Sequence, residues 1–507
     1  PWVEIHNSAD SIESLEDWYL TDDPDNLTKW RIPRKTIPAR GHGLLHVSGK
    51  GFSSPLSTEV HANFTLSGSD DYIALVRPDG ASIASAISNI PKQRRGISYG
   101  LTELGEPTYF ERPTPGTPNG EPLAGFVSDT KFSIDRGFYD APFQVEITTN
   151  TPNARIIYTL SGRRPSEGAM FTGPIEHLYS GPITIDKTTV LRAAAFKDGL
   201  GPSNIDTQTY LFIDDVIQQE LMSRQITESA EYGAQMHQAL TALPTLSLAV
   251  EDKQFVGNGS SNTNDIESQT SVEWLNSDET PGFQVDAGIS RFGGYFTNFN
   301  KKSFRLYFRK RYGAATLKFP LFRGHESGSP PVEQFDSLDL RSGSHDMSER
   351  GAYLSNRFVD DTMLEMGGTA PHGRFIHVYL NGEYWGQYHL RERWNAAMFA
   401  SYFGGPENDY DAINGNDNFT SDLKAYDGTL DYWDETERLA REGQPWTVLQ
   451  GRVDIADYLD FMMCWSTGNS ESEFQAVGSR SRRVPFKFYM KDADGWLELP
   501  PPSGRIT

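Results

Sequence analysis

From residue 1 to about residue 213 the chain is a succession of short apolar or alternating runs cut by Gly, Pro, Asn and Asp. This is the feature that most restricts its fold. Trp2-Val3-Glu4-Ile5, Gly43-Leu44-Leu45-His46-Val47 and Tyr72-Ile73-Ala74-Leu75-Val76 are each a few residues long, and the last runs into the turn Pro78-Asp79-Gly80. Runs this short cannot make helices that bury a face, whereas strands of four to eight residues joined by tight turns make sandwiches. A second set, Phe143 to Ile147, Ala154 to Thr159 and Thr189 to Phe196, repeats the pattern. The spacing therefore predicts two small all-β units, at residues 1–125 and 129–213.

Residues 214–243 are polar and Gln/Glu-rich, with Ile213, Val216, Ile217 and Leu221 near helical spacing, which predicts a linker with a helix. From residue 244 to 507 the texture is mixed. Residues 350–366 place Tyr353, Leu354, Phe358 and Met363-Leu364 at helical intervals, while Phe375 to Leu380 followed by Asn381-Gly382 reads as strand, hairpin turn, strand. The length of 507 residues fits about three units at ~150 residues each.

Charge removes some function classes. The formal net charge is -22, with 68 acidic against 46 basic residues, which argues against nucleic acid and anionic membranes as partners. No apolar run approaches the ~20 residues of a membrane span. The one cysteine, Cys464, lies in the apolar run Phe461 to Trp465 and reads as core. The start at Pro1, with no leader sequence, points to a processed or truncated chain. No phosphate-binding P-loop, Gly-x-Ser-x-Gly elbow or His-Glu-x-x-His zinc motif is present.

Two stretches carry chemistry. Lys301 to Phe308 alternates as a strand, with Lys302 on the face of Phe304, Leu306 and Phe308. An ammonium at the head of an apolar face is satisfied by an anion such as a nucleotide phosphate or by a route to water. After the apolar strand Phe486 to Met490 comes Lys491-Asp492-Ala493-Asp494-Gly495, whose paired carboxylates suit Mg²⁺ and equally suit a turn. His372 and His377, in a strand-like segment, read as packing or locally bonded side chains.

Several ordered segments resemble known families. Trp2 to Asn7, Trp18 to Asp23, Ala62 to Ser67 and Thr114 to Asn119 resemble a lamin-tail domain. Asn153 to Leu160, Val190 to Phe196 and Thr209 to Phe212 resemble the chitobiase/β-hexosaminidase C-terminal domain. Arg291-Phe292-Gly293-Gly294-Tyr295 through Lys302, the hairpin Leu380 to Tyr388, and Leu390-Arg391-Glu392-Arg393 resemble the spore-coat protein H (CotH) family of atypical kinases. Tyr410 to Asn416 and Val453 to Tyr458 resemble that family's connecting helices, and Gly468-Asn469 its catalytic loop.

The resemblance implies two immunoglobulin-like sandwiches followed by an α+β atypical-kinase-like domain at 244–507 whose C-terminal end is lacking. It implies ATP and Mg²⁺ as cofactors, with Lys302, Lys301, Arg291 and Glu392 around the nucleotide. Asp492, Asp494 and Asn469 are expected at the metal, and Asn469 with Glu471 at the acceptor hydroxyl. Glu471 stands where the family has Asp. The implied function is a secreted or surface bacterial protein kinase acting on an extracellular or surface protein. A catalytically silent scaffold or adhesion protein that contacts cell-surface or matrix components, built on the same modules, is the alternative.

Overall fold

The computed structural model describes residues 2–51, 59–66, 72–91, 93–94, 96–166, 176–251, 267–278, 280–293, 301–325, 327–343, 353–415, 423–467, 474–490 and 493. The described residues are predominantly β. The N-terminal unit has a four-stranded sheet in the order Trp30–Arg31, Tyr19–Thr21, Tyr72–Val76, Ile83–Ser88, accompanied by two-stranded ribbons such as Trp2–His6 with His42–His46. Leu20, Ile32, Leu45 and Val47 form its core.

The second unit has a five-stranded sheet in the order Gly137–Phe138, Asp206–Leu211, Thr189–Phe196, Arg155–Thr159, Glu176–Leu178. Thr189–Phe196 is buried at every position. Alternation explains one covered face, where Leu191, Ala193 and Ala195 meet Val145 and Ile147. The opposite face is approached by a distant part of the chain, since a Cβ added at Gly382 would lie 3.5 Å from Val190 Cγ2. Between the second and third units lie the short helices Ile213–Ile217, Arg224–Thr227 and Met236–Thr241.

The third unit begins with a closed seven-stranded barrel, which the α+β expectation did not contain. Its strands are β1 (Thr245–Val250), β2 (Ser268–Leu275), β3 (Phe283–Phe292), β4 (Ser303–Tyr307), β5 (Ser337–Arg341), β6 (Gly373–Leu380) and β7 (Glu383–Glu392). The order is β1-β2-β3-β4-β5-β7-β6, and β6 closes the barrel by pairing parallel to β1. The interior is filled by Leu248, Val272, Ile289, Phe304, Leu306, Leu340, Val378 and Leu390. Each such side chain contributes about 1.5–3 kcal/mol by leaving water.

Local sequence sets the connections. Asn381 and Gly382 have φ of 51° and 82°, the left-handed pair that a two-residue hairpin needs, and Leu380 pairs with Glu383 across them. Helix α1 (Ser355–Glu365) bridges β5 and β6 and buries Val359, Met363 and Leu364. Helix α2 (Ala396–Phe403) follows β7 at once, because the Asn395 side chain accepts from the Met398 N–H as its N-cap at 2.9 Å.

The C-terminal part has a four-stranded sheet in the order β9 (Lys424–Asp427), β8 (Tyr410–Gly415), β10 (Phe474–Ser479), β11 (Lys487–Met490). It packs with α3 (Asp431–Arg441) and α4 (Ile455–Thr467) around Phe461, Phe474, Phe486 and Phe488. Tyr410–Gly415 is a strand, where the family resemblance had suggested a helix. It is flanked by β9 and β10 and is almost wholly buried, so no polar stripe marks its period. Cys464 is buried as expected. No helix among the described residues is long and apolar enough to cross a membrane.

Candidate active site

The barrel presents two polar regions, one at its rim and one along its outer wall. Arg291 pairs with Phe304 across β3 and β4, and Lys302 lies two residues before Phe304. Both cations therefore share the inward face and stand at the rim above the apolar filling. Arg291 is 2% exposed and Lys302 3%. Burial and the Arg291 charge together hold the Lys302 ammonium below its ordinary pKa. The two like charges thus act on each other within a covered rim.

Lys301 faces the other way. Its Nζ donates to the Gln387 carbonyl at 2.5 Å and lies 4.7 Å from the Tyr388 ring centre and 5.5 Å from that of Tyr353. Burial pushes it down to about 8. Tyr353 donates to the same Gln387 carbonyl at 2.8 Å, and Tyr388 donates to the Lys302 carbonyl at 2.7 Å. Gly386, with φ of 117°, makes the approach possible, since a Cβ there would sit 3.0 Å from Lys301 Cε.

Glu392 lies at the far end of β7, level with Leu338, whereas Phe304 is level with Leu340. At 3.3 Å per residue, the rim at Lys302 and the level of Glu392 are about 13 Å apart along the strands. The Glu392 carboxylate accepts from the His372 N–H and the Tyr402 hydroxyl, each at 2.8 Å, and lies 3.2 Å from His372 Nδ1. His372 Nε2 is 2.7 Å from the Ser329 carbonyl. Burial would lower the His372 pKa, but its contact with Glu392 outweighs that and raises it. Glu392 thus ties the end of β7 to α2, which carries Tyr402. Residues Arg393 to Asn395 lead from the barrel into α2, which precedes the C-terminal sheet. His377 is likewise locally bonded, to Tyr384 and the Ala239 carbonyl.

The outer wall was not found from the sequence. Arg305 pairs with Asp339, Asp339 with Arg391, and Arg341 with His389 across β4, β5 and β7, so all five side chains share the face opposite the apolar filling. Arg305 donates to Asp339 through Nε at 2.6 Å and Nη2 at 3.0 Å. Burial raises the Asp339 carboxyl, but Arg305, with help from Arg391 and Arg393, overcomes this and holds it below the usual range. Arg391 donates to the Tyr489 hydroxyl of β11 at 2.5 Å. Asp360 of α1, 3.8 Å from Arg357, has its carboxyl raised by burial. His389 is pushed well down by burial and by Arg357, Arg391 and Arg341. Gly373 leaves room here, because an added Cβ would lie 2.6 Å from both Arg357 Nη1 and His389 Nε2. The outward phase was legible in Ser337-Leu338-Asp339-Leu340-Arg341, but which strand would face it was not.

The structure therefore brings Arg291, Lys301 and Lys302 to one rim and sets Glu392 at the opposite end. Asn469, Glu471, Asp492 and Asp494 lie outside the described residues. Their nearest described neighbours on β10 and β11, Phe474 and Met490, are direct register partners. Ala493 is buried in the C-terminal core. Among the described residues, no group of three or more His, Cys, Asp or Glu side chains gathers as a metal site.

Residues 134–208 match the family model of the chitobiase/beta-hexosaminidase C-terminal domain. Residues 289–463 match that of CotH kinase protein, a span running from the end of β3 into α4 and containing Arg291, Lys301, Lys302 and Glu392. No curated protein matches the chain.

Proposed function

We propose that this chain, which carries a CotH kinase domain at residues 289–463, is a secreted or surface bacterial atypical protein kinase. It transfers the γ-phosphate of ATP to a hydroxyl of an extracellular or surface protein. The observation that supports this most is the pairing of a cationic rim with an interlobe connection at the two ends of the same strands, within the matched segment. Arg291 and Lys302 on the inward face at one end suit a polyphosphate, and about 13 Å of strand separates them from the residues before α2.

In this reading Lys302 and Arg291 face the phosphates, and Lys301 braces β7 beside them. Glu392 fixes the connection against which the base lies. Asp492 and Asp494, with Asn469, would hold Mg²⁺, which would supply charge neutralisation to the phosphates. Glu471 orients the acceptor hydroxyl and takes its proton as the oxygen bonds to the γ-phosphorus. The bond from that phosphorus to the β,γ-bridging oxygen breaks, and ADP leaves. Such a transfer needs mainly positioning and charge neutralisation, which this set supplies. The sandwiches at 1–125 and 129–213, immunoglobulin-like and the first of lamin-tail type, serve display, and residues 214–243 link them to the domain that starts at 244.

Incubating the full chain with γ-labelled ATP, Mg²⁺ and dephosphorylated casein tests the reading. Label on casein or on the chain is expected, and its loss in Lys302→Met and Asp492→Asn. Nucleotide binding without any transfer would instead favour a silent surface scaffold. Glu471, one methylene longer than the family's Asp, is the observation behind that second reading.

A further inference from the structure

We infer that the second β-unit is an obligatory wall of the barrel domain, and that Gln219, in the linker segment that follows it, positions Lys301. The inference rests on packing and is independent of phosphotransfer. Glu273 of β2 is fully buried, yet its partners come from the second unit. Thr209 donates to it through its N–H at 3.2 Å and its hydroxyl at 2.5 Å, and Arg136 lies 3.2 Å away. Thr209 Oγ1 also meets Ser247 of β1 at 2.8 Å. A carboxylate this deep is tolerated only with such partners. A barrel without the second unit would uncover Glu273, whose register neighbours are Ser247 and Gln284, together with the apolar Leu275 and Tyr379, which pack on Leu211, Ile213 and Val216.

The same contact grips one hairpin. Gln219 Nε2 donates to the Gly382 carbonyl at 2.8 Å, and its Oε1 accepts from the Tyr384 N–H at 2.8 Å. The turn is thereby held at both sides of Glu383. Gly162 of the second unit abuts the turn so closely that an added Cβ would lie 2.6 Å from Asn381 Oδ1. Asn381 in turn bonds the Val250 N–H and carbonyl at 2.7 and 2.9 Å. Three residues beyond Tyr384, the Gln387 carbonyl holds Lys301. The second unit therefore sets the hairpin, and the hairpin sets the rim, so the two are parts of one body rather than a spacer and its cargo.

Two measurements on the full chain test this. Val145→Ala weakens the second unit in its own core, away from the barrel. Backbone hydrogen exchange is expected to rise by about tenfold in β1, β2 and β6 as well as in the second unit, because they open together. Faster exchange confined to the second unit would overturn the claim. Gln219→Ala is read by ¹³C NMR titration of lysine ε-carbons, with Lys301 assigned by Lys301→Arg. The midpoint, about 8 in the intact protein, is expected to move up towards the ordinary ~10.4 as water reaches the ammonium. An unmoved midpoint, with the second unit's exchange unchanged, would remove Gln219 from the positioning role.

Discussion

Replacing Asp339 with Ala probes the wall between the barrel and the C-terminal sheet. Asp339 is 3% exposed and sits between Arg305 and Arg391 in register, with Arg393 also acting on it. The substitution deletes two charge-assisted bonds, at 2.6 and 3.0 Å, and leaves Arg305 covered without its counter-ion. Truncating one partner of a buried pair costs about 3–5 kcal/mol, a factor of about 10² to several 10³ in the folded ratio. Urea unfolding followed by circular dichroism reads this as a large fall in the midpoint with little change in slope.

Arg305→Met with Asp339→Leu removes both charges and is expected to recover much of the loss, since apolar replacement of a buried pair is often neutral. The pH dependence has a definite sign. The folded pKa lies below the unfolded value of about 3.9, so the contribution is present above that pH and is lost as pH falls through the lower, folded value. The gap between the protein and Asp339→Asn therefore narrows on acidification below about pH 4. A cost under about 1 kcal/mol for Asp339→Ala, or a double variant as unstable as the sum of the singles, would show that the Asp339 pair carries no such stability.

Leu306→Ala empties a fully buried position in the barrel filling and is expected to cost about 2–5 kcal/mol in the same unfolding assay. The His372–Glu392 contact carries the opposite pH signature to Asp339. Because the folded His372 pKa is raised, its contribution is complete below the unfolded value of about 6.5 and fades as pH rises through the folded one. The stability difference from His372→Gln, measured by urea unfolding between pH 6 and pH 8, should accordingly shrink with rising pH.

Local order was legible in the sequence where a short-range rule governs it. Asn381-Gly382 announced its hairpin, and the alternation after Lys302 put that lysine on the face of Phe304 and Leu306, where it is found. His372 and His377 are locally bonded as read. Barrel closure was not legible, because β6 pairs with β1 across a long stretch of chain and no local pattern encodes a non-local partner. Strand β8 hid for a related reason, being covered on both faces with no period to read. Glu273 misleads most: in Ser271-Val272-Glu273-Trp274 it has the phase of a solvent residue, and only docking of the second unit buries it. The rim cations could be named from resemblance, whereas the Arg305–Asp339–Arg391 wall depended on which face the C-terminal sheet would cover.

The most direct test of the nucleotide site is the unfolding temperature of the full chain titrated with ATP and Mg²⁺, set beside Lys302→Met and Asp492→Asn. Binding to the folded state alone stabilises by about 2.7 kcal/mol at a hundred times Kd. A nucleotide-dependent rise that needs Mg²⁺ and is lost in both variants is expected. No rise at millimolar nucleotide, or an equal rise in all three proteins, would contradict the nucleotide site.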